Sequence, residues 1–448
     1  MTPRSQVCSA IVLFAALCLA ACGDSGSGFS PPTQYTIGGT LSGLATGQQV
    51  VLADNGADSL TLSANGAFTF SAGVAAGGSY SVSVVTQPAG QTCTVAGATG
   101  SNVSADVTTV NVSCASPSQY AYVVNSGDNT VSQYTIAASG GLTPMSTPTV
   151  QTGTAPQSVA VDPSGHYVYV PNLNDNTVSQ YTIGTDGSLV PMNPATVQTG
   201  AGPWAVSIAP SGSYVYVINS IDHTVSQYTI GAGGVLAPMT PATVATGTTP
   251  SAIAIDPTGQ YAYVTNHLDN TVSQYAVGAG GALTALNPPT LASGALPSGI
   301  AIDPSGLYAY VADLNDNAVS QYTIGTAGTL APQNPATAAA GTGPVYIAVH
   351  PNGQNAYVVN STLAGAGTVS EYSIAAGGLL APMAIPTVAA GKGPAWIAVD
   401  RAGQYAYVTN VSDNTVSQFA IGADGSLTPL SVPTVTTGQK PFVIALVN

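Results

Sequence analysis

Side chains able to carry acid–base chemistry are scarce in this chain of 448 residues, which has four histidines and four Lys or Arg residues in all. Two of the histidines, His223 and His267, and both lysines, Lys392 and Lys440, fall in a region of repeated sequence. A neutral imidazole can take a proton from water, and an ammonium group can polarise a carbonyl. If the protein catalyses a hydrolysis, these four residues are the candidate catalytic groups.

Bulky aromatic residues break the same repeats at a position that is otherwise small or polar. They are Trp204, Tyr346, Trp396 and Phe442. Concave sites lined by aromatic residues with a few polar groups are typical of ligand pockets. We expect these four residues to line such a pocket, and the alternative is that the repeats diverged at a wide channel mouth without acquiring a ligand.

Composition limits the class of function. Charged residues make up only 5% of the chain, and the formal net charge is −14. A nucleic-acid-binding protein needs a basic surface to neutralise phosphates, so the sequence excludes that class of partner. The apolar fraction is 45%, and frequent Val, Thr and Tyr favour β-structure with a buried core.

The elements that position the candidate residues are predicted by a repeat. The sequence Val-Ser-Gln-Tyr or a close variant begins at Val131, Val178, Val225, Val272, Val319, Val369 and Val416. A period of 40–50 residues with several strand signals in each unit indicates propeller blades. The chain enters this region on a second strand at Tyr120 and leaves it on a first strand at 441–448. We therefore predict an all-β, seven-bladed propeller over residues 119–448, closed by its C-terminal strand.

Strand direction places the connecting loops. Loops between the second and third strands, and those between blades, share the upper face, where the candidate site is expected. Each second-to-third loop but one carries an aspartate: Asp128, Asp175, Asp222, Asp269, Asp316 and Asp413. Aspartate suits tight turns, so no cofactor is expected, although a carboxylate ring could also attract Ca²⁺.

Two segments carry a family resemblance, Tyr263-Val264-Thr265-Asn266 and Tyr407-Val408-Thr409-Asn410, each followed by Asp-Asn-Thr-Val-Ser. They resemble the YVTN repeats of the lactonase-like seven-bladed propeller family over about 330 residues. The resemblance implies the propeller fold. It does not fix an activity, since the family includes lactone hydrolases, a muconate-cyclising enzyme and cell-surface proteins.

The charged residues that such enzymes use are misplaced here. The resemblance implies that the cyclising enzyme of the family relies on His, Glu and Arg on the upper face and that a phosphosugar lactonase must hold a phosphate. Here Glu371 lies within a third strand and Arg401 in a lower turn. We therefore expect an extracytoplasmic binding or scaffold protein, with a polysaccharide, peptide or protein as ligand. The alternative is a lactonase-type hydrolase similar to 6-phosphogluconolactonase.

The N-terminus predicts export. An apolar run at 9–21 is too short to span a bilayer and fits a signal peptide over residues 1–21. The sequence Leu19-Ala20-Ala21-Cys22-Gly23 resembles a bacterial lipobox, so Cys22 is the expected lipidated residue, followed by a flexible tether over 22–33. Lipidation would anchor the protein to a membrane of the cell envelope, at the outer membrane or the cell surface. The alternative is an ordinary signal peptide with a chance cysteine.

Residues 34–116 do not share the repeat. Short alternating runs separated by Gly, Asn and Asp predict a small β-sandwich of the Ig-like or transthyretin-like kind. Cys93 and Cys114 remain as a pair in an exported chain, which indicates a disulfide, the alternative being two buried thiols.

Overall fold

The structure is a computed structural model that describes residues 33–44, 47–88, 91–115, 119–362 and 365–447. The predicted signal peptide, the lipidation site Cys22 and the tether up to residue 32 lie outside these residues. In the described ranges, no helix has the length and apolar character needed to cross a membrane. The chain divides into two compact units after Ala115.

The first unit consists of short strands. In chain order they are β1 Gln34–Tyr35, β2 Ile37–Ser42, β3 Val50–Asp54, β4 Asp58–Leu62, β5 Gly66–Thr69, β6 Val74–Ala75, β7 Tyr80–Thr86, β8 Thr92–Ala96, β9 Thr99–Gly100 and β10 Val107–Ala115. They form two four-stranded sheets, β5-β2-β10-β8 and β4-β3-β7-β9, and a two-stranded sheet, β1-β6.

Both four-stranded sheets of this unit contribute to one hydrophobic cluster. Leu41 and Val112 come from the first sheet, and Leu52 and Val82 come from the second. Successive side chains of a strand point to opposite faces, and β7 accordingly begins with alternating buried and exposed residues, whereas β3 is buried or half-buried throughout. The comparison with Ig-like or transthyretin-like modules stays a prediction.

A disulfide joins Cys93 and Cys114. The two cysteines are direct cross-strand neighbours in the antiparallel β8–β10 pair. The predicted bond is therefore confirmed, and it ties the edge strand β8 to the sheet.

The second unit contains seven four-stranded antiparallel sheets, which are the predicted blades. Blade 1 combines three strands from the start of the unit with the last strand of the chain. Ala445 there pairs with Tyr122, and Leu446 pairs with Ala121. The C-terminal strand thus closes the ring and confirms the predicted seven-bladed propeller.

Strand bounds repeat from blade to blade. The innermost strands of blades 1 to 7 are Pro441–Val447, Ala160–Val161, Pro203–Ile208, Pro250–Ile255, Pro297–Ile302, Pro344–Val349 and Pro394–Val399. The second strands are Gln119–Asn125, Tyr167–Asn172, Tyr214–Asn219, Tyr261–Asn266, Tyr308–Asp313, Asn355–Asn360 and Tyr405–Asn410.

The outer half of each blade follows the same pattern. The third strands are Thr130–Ile136, Thr177–Ile183, Thr224–Ile230, Thr271–Val277, Ala318–Ile324, Ala366–Ile374 and Thr415–Ile421. The outer strands are Leu142–Gln151, Leu189–Gln198, Leu236–Ala245, Leu283–Ala292, Leu330–Ala339, Leu380–Lys392 and Leu427–Thr436. A 3₁₀ turn lies at Ala232–Gly234.

The glutamine of the Val-Ser-Gln-Tyr repeat joins neighbouring blades. The side chain of Gln180 lies where the ladder between the third and outer strands shifts register. Its amide donates to the carbonyl of Pro194 in the same blade, and its oxygen accepts from the N–H of Leu236 in the next blade. Buried polar groups need such partners, and this glutamine supplies both a donor and an acceptor between the strands it joins.

Tyrosines of the repeat act in both directions around the ring. The hydroxyl of Tyr181, in the third strand of blade 2, donates to Gln151 in blade 1, and that of Tyr169 in the second strand donates to Gly234 in blade 3. The ring of Tyr167 packs on Gly234, whose φ of 83° favours glycine and whose missing Cβ leaves room for the ring. These contacts hold the blades in register and so fix the inner strands that surround the site.

Candidate functional site

The upper-face loops are held by the residues that end each second strand. In blade 2, the oxygen of Asn172 accepts from the N–H of Gly153, and its amide donates to Thr177 and Ser179. The carboxylate of Asp175 accepts from the N–H of Thr154 at 2.6 Å. Each blade's second-to-third loop is therefore bonded to the loop that enters that blade.

The six upper-face aspartates share this turn role. Each accepts a backbone N–H from the neighbouring loop: Asp128, Asp175, Asp222, Asp269, Asp316 and Asp413. All six are exposed. Among the described residues, no three His, Cys, Asp or Glu side chains are placed to hold a metal ion. The predicted Ca²⁺ alternative gains no support from this geometry.

A cavity of about 450 Å³ lies where the inner strands begin on the upper face. The four predicted aromatic residues, Trp204, Tyr346, Trp396 and Phe442, all line it. Trp204 and Phe442 make an edge-to-face contact with ring centroids 5.5 Å apart. Tyr346 and Trp396 stack with centroids 3.4 Å apart. The structure thus brings together residues that are distant in sequence.

The stacked pair also lines a second cavity of about 430 Å³, which follows the inner strands further down the channel. Tyr346 and Trp396 therefore lie between the two cavities. Gly299 makes this arrangement possible, because a Cβ there would lie 2.7 Å from the Cα of Tyr346. Burial raises the pKa of the Tyr346 phenol far above its usual range, so this hydroxyl stays protonated and cannot act as a base.

Polar lining comes mainly from blades 4 and 5. Ser251 and Ser298 occupy the inner-strand position that is aromatic in blades 1 and 3. The hydroxyl of Ser251 lies 2.8 Å from that of Thr265 and 3.0 Å from the carbonyl oxygens of Pro297 and Ser298. Thr265 is the threonine of a Tyr-Val-Thr-Asn segment, and its own hydroxyl lies 3.0 Å from the Ser298 carbonyl.

The same hydrogen bond recurs in blade 7, where the hydroxyl of Thr409 donates to the carbonyl of Phe442 at 2.8 Å. In both cases the threonine fixes the start of the next blade's inner strand. Sequence reasoning missed this polar cluster. The serines that replace bulky residues in blades 4 and 5 were the available signal.

His267 is the histidine that lines the cavity. Its Nδ1 lies 3.1 Å from the carbonyl oxygen of Pro297 in the next blade. A carbonyl oxygen can only accept, so Nδ1 carries the hydrogen and Nε2 of the neutral ring is left as an acceptor. None of the described residues hydrogen-bonds to Nε2. The geometry therefore provides an imidazole of fixed tautomer with a free basic nitrogen.

His223 does not line the cavity. Its Nδ1 accepts from the N–H of Thr249 at 3.0 Å. The Oδ1 of Asn176 makes the same bond to Gly202, and that of Asn270 makes it to Leu296. Like those asparagines, His223 adopts a positive φ, here 56°. It serves the turn in place of asparagine, so its predicted catalytic role has no support from its position.

The two lysines are also absent from the cavity lining. The backbone N–H of Lys392 donates to Asp413, and that of Lys440 donates to Asn414. Both residues are exposed, Lys392 at the end of the outer strand of blade 6 and Lys440 on the loop between blades 7 and 1. These bonds fix the backbones of the two lysines, and neither lysine side chain is among those that line the described cavity. The predicted role of Lys392 and Lys440 in polarising a carbonyl therefore has no support from the structure.

Two buried carboxyl groups replace repeat amides outside the cavity. Asp313 takes the place of the asparagine that ends the second strand, and it accepts from the hydroxyls of Ser293 and Ser320. Burial raises its pKa to about 6. Glu371 takes the place of the repeat glutamine, and burial raises its pKa as well. Neither lies in the cavity lining, so neither is a candidate catalytic group.

The fold and the cavity together define a seven-bladed β-propeller with a ligand-sized chamber on its axis. The sequence model of the family described as lactonase, 7-bladed beta-propeller, matches residues 42–334 and 326–442. The chain belongs to this family. A search of curated protein sequences finds no match.

Solved structures show the same fold at low identity. A Bacteroides fragilis protein with the provisional name 6-phosphogluconolactonase is 20% identical, with a TM-score of 0.64 over 74% of this chain and 98% of its own. The periplasmic gluconolactonase of Pseudomonas aeruginosa is 18% identical, with a TM-score of 0.62 over 74% of this chain and 99% of its own. The hydrazine synthase of Kuenenia stuttgartiensis is 17% identical, with a TM-score of 0.51 over 64% and 88%. At these identities the likeness is one of fold, and the fold carries more than one chemistry.

Proposed function

We propose that the protein is a lactone hydrolase that binds its substrate in the upper cavity and uses His267 as the general base. The observation that carries this proposal is the bond between Nδ1 of His267 and the carbonyl of Pro297, which leaves Nε2 as an acceptor at the cavity wall. Membership of the lactonase family supports the reaction class.

The chemistry needs one water molecule. Nε2 of His267 accepts a proton from the water as its oxygen bonds to the lactone carbonyl carbon. The ring C–O bond then breaks, and the protonated imidazole returns its proton to the leaving alkoxide. The product is an open-chain hydroxy acid, and the imidazole is neutral again.

A donor for the transient oxyanion is also present. The hydroxyl of Ser298 lies on the cavity wall and contacts the carbonyl of Leu296 at 3.4 Å, a long and weak hydrogen bond. It can rotate toward an oxygen that gains negative charge. Donors aimed at such an oxygen are a large contribution to acyl-transfer catalysis.

Binding without catalysis is the second candidate function, and the aromatic lining favours it. Trp204, Tyr346, Trp396 and Phe442 give a surface on which a ring can stack. The predicted extracytoplasmic binding role and the hydrolase differ in one measurable respect, which is turnover.

The test is a pH-stat assay of the purified protein on a panel of sugar, aliphatic and aromatic lactones. We expect hydrolysis above the spontaneous rate for at least one of them, with competitive inhibition by the corresponding lactam. Saturable lactam binding without turnover of any lactone would instead establish the binding role.

We also propose that the protein is exported and anchored through a lipid on Cys22. The apolar run at 9–21 and the lipobox-like sequence around Cys22 support this proposal. Mass spectrometry of the purified N-terminal peptide should show an acylated Cys22, and a Cys22→Ala variant should leave the membrane fraction. An unmodified Cys22 in membrane-free protein would overturn the anchor.

A further inference from the structure

We infer that the upper cavity selects an uncharged, hydroxylated ring, such as an unphosphorylated sugar lactone, and rejects phosphorylated sugar lactones. This inference rests on the proposed function for the lactone itself, but its test measures binding and does not depend on turnover. Two separate features of the site carry it.

The first feature is the division of the cavity wall into an aromatic side and a polar side. Blades 6, 7 and 1 follow one another around the ring and contribute Tyr346, Trp396 and Phe442, and Trp204 of blade 3 contacts Phe442. We call these four residues the aromatic wall.

Blades 4 and 5 contribute the opposite chemistry to the same cavity. Ser251, His267 and Ser298 line it there, and the carbonyl oxygen of Pro297 lies within hydrogen-bond distance of both Ser251 and His267. A sugar ring has an apolar C–H face and hydroxyl groups around its edge. Its face can stack on the aromatic wall while its hydroxyls bond to neutral polar groups. A purely aromatic ligand would form no hydrogen bonds with these polar groups.

The second feature is electrostatic. We call the six upper-face aspartates the acidic collar: Asp128, Asp175, Asp222, Asp269, Asp316 and Asp413. Two residues of the collar are near neighbours of lining residues in the sequence. Asp222 follows Ser220 by two positions, and Asp269 follows His267 by two positions. The hydrogen bond from the backbone of Thr248 lowers the pKa of Asp269, so that carboxyl stays charged.

Two lysines share this face, since Lys392 directly precedes the lining residue Gly393 and Lys440 precedes Phe442 by two positions. Neither is in the cavity lining, and two ammonium groups offset two of the six collar charges, so the face keeps a net negative charge. A phosphate group would enter against this net negative charge and find no lysine or arginine in the cavity lining to bind it. An uncharged sugar lactone meets neither obstacle. The site therefore discriminates by charge as well as by shape.

The protein contains a built-in reporter for the test. Its only two tryptophans are Trp204 and Trp396, and both line the cavity. Intrinsic tryptophan fluorescence thus reports cavity occupancy directly. We would titrate the purified protein at low ionic strength with glucono-1,5-lactam, which resists hydrolysis, and with the same lactam carrying a 6-phosphate.

We expect a saturable fluorescence change with the neutral lactam and at least tenfold weaker binding of its phosphate. The difference should shrink as salt is added, because salt screens the collar. Substituting Asp222→Asn and Asp269→Asn together keeps acceptor oxygens for the turn N–H groups and removes two charges. That variant should bind the phosphorylated lactam more tightly with little change for the neutral one.

The matched control is Asp186→Asn with Asp424→Asn, which removes two exposed charges from the lower-face loops between third and outer strands. It should leave the tenfold preference unchanged. Equal or tighter binding of the phosphorylated lactam, or no fluorescence response to either lactam, would overturn the inference. Binding of the neutral lactam without lactone turnover would overturn the proposed hydrolysis and leave the charge selection intact.

Discussion

The Nδ1 atom of His267 in blade 4 lies 3.1 Å from the carbonyl oxygen of Pro297 in blade 5, so that a bond between neighbouring blades sets the tautomer of the imidazole. The same carbonyl is 3.0 Å from the hydroxyl of Ser251. Positioning by the scaffold in this way keeps a catalytic group in its productive orientation before substrate arrives.

Substituting Asp313→Asn should stabilise the protein at pH 7. Burial raises the folded-state pKa of this carboxyl to about 6, above the ordinary value of 3.8. The folded state therefore binds more protons than the unfolded state between about pH 4 and 6, and the free energy of unfolding falls as pH rises through that window. The shift corresponds to about 3 kcal/mol at most.

Urea denaturation of the Asp313→Asn variant at pH 4 and pH 7 tests this. We expect a gain of about 1–3 kcal/mol at pH 7 and a much smaller change at pH 4. Asparagine stands at this position in the other six blades, so the variant restores the repeat. A variant that is less stable than the parent at pH 7 would show that the buried carboxylate is favourable.

Glu371→Gln should also be stabilising. The carboxyl of Glu371 accepts from the N–H of Leu427, as the repeat glutamine does, but an ionised carboxylate cannot donate to the outer strand. Gln321 in the preceding blade donates to the carbonyl of Pro335. Burial raises the pKa of Glu371, so the gain from glutamine should be larger at pH 8 than at pH 5.

The reciprocal change, Gln321→Glu, is the control for Glu371→Gln and should destabilise the protein at pH 8. Thermal melting of both variants at the two pH values gives the comparison. Equal melting temperatures for Glu371→Gln and the parent at pH 8 would contradict the account.

Gly299→Ala should disturb the stacked pair. Alanine is the residue at the equivalent inner-strand position in blades 3 and 4, Ala205 and Ala252. In blade 5, however, its Cβ would lie 2.7 Å from the Cα of Tyr346. Overpacking of this kind costs about 1–3 kcal/mol.

A double-mutant cycle with Tyr346→Ala measures the coupling between Gly299 and Tyr346. Since part of the clash is with the ring, the cost of Gly299→Ala should fall when the ring is removed. Strictly additive effects would show that the Tyr346 ring is not what requires glycine at 299.

Loss of the Cys93–Cys114 bond should destabilise the N-terminal unit. The two residues are separated by 21 positions, and closing a loop of that size contributes about 3 kcal/mol in the chain-entropy model. Replacement of both cysteines by serine should lower the urea midpoint of this unit's transition. An unchanged midpoint would mean that the β8–β10 pairing alone holds the strand.

Much of the architecture is predictable from the sequence because the repeat is physically strict. The glutamine and the tyrosine of Val-Ser-Gln-Tyr hydrogen-bond within their own blade or to a neighbouring one, as Gln180 and Tyr181 show. The aromatic wall was predictable for the opposite reason, since Trp204 and Trp396 break the repeat. Ring closure could be inferred because the repeats start on a second strand at Tyr120 and end on a first strand at 441–448.

The polar half of the site was not predictable in the same way. His223 and His267 fall in neighbouring loops but at different positions, since His223 directly follows Asp222 and His267 precedes Asp269 by two positions. The ring of His223 replaces a turn asparagine, whereas His267 lines the cavity. The lysines were misleading because a loop position fixes the backbone and not the direction of a long side chain. Ser251 and Thr265 were overlooked because serine and threonine are common throughout the chain.

The most direct test of the central claim compares lactone hydrolysis by His267→Asn and His223→Asn, two identical changes in adjacent blades. Asparagine at 267 can still donate to Pro297 but has no counterpart of Nε2, whereas asparagine at 223 restores the repeat. Loss of a general base costs about 10²–10⁴-fold in rate. The account predicts a loss of that size in kcat for His267→Asn, with lactam affinity retained, and near-parental turnover for His223→Asn. Parental turnover by His267→Asn would contradict it.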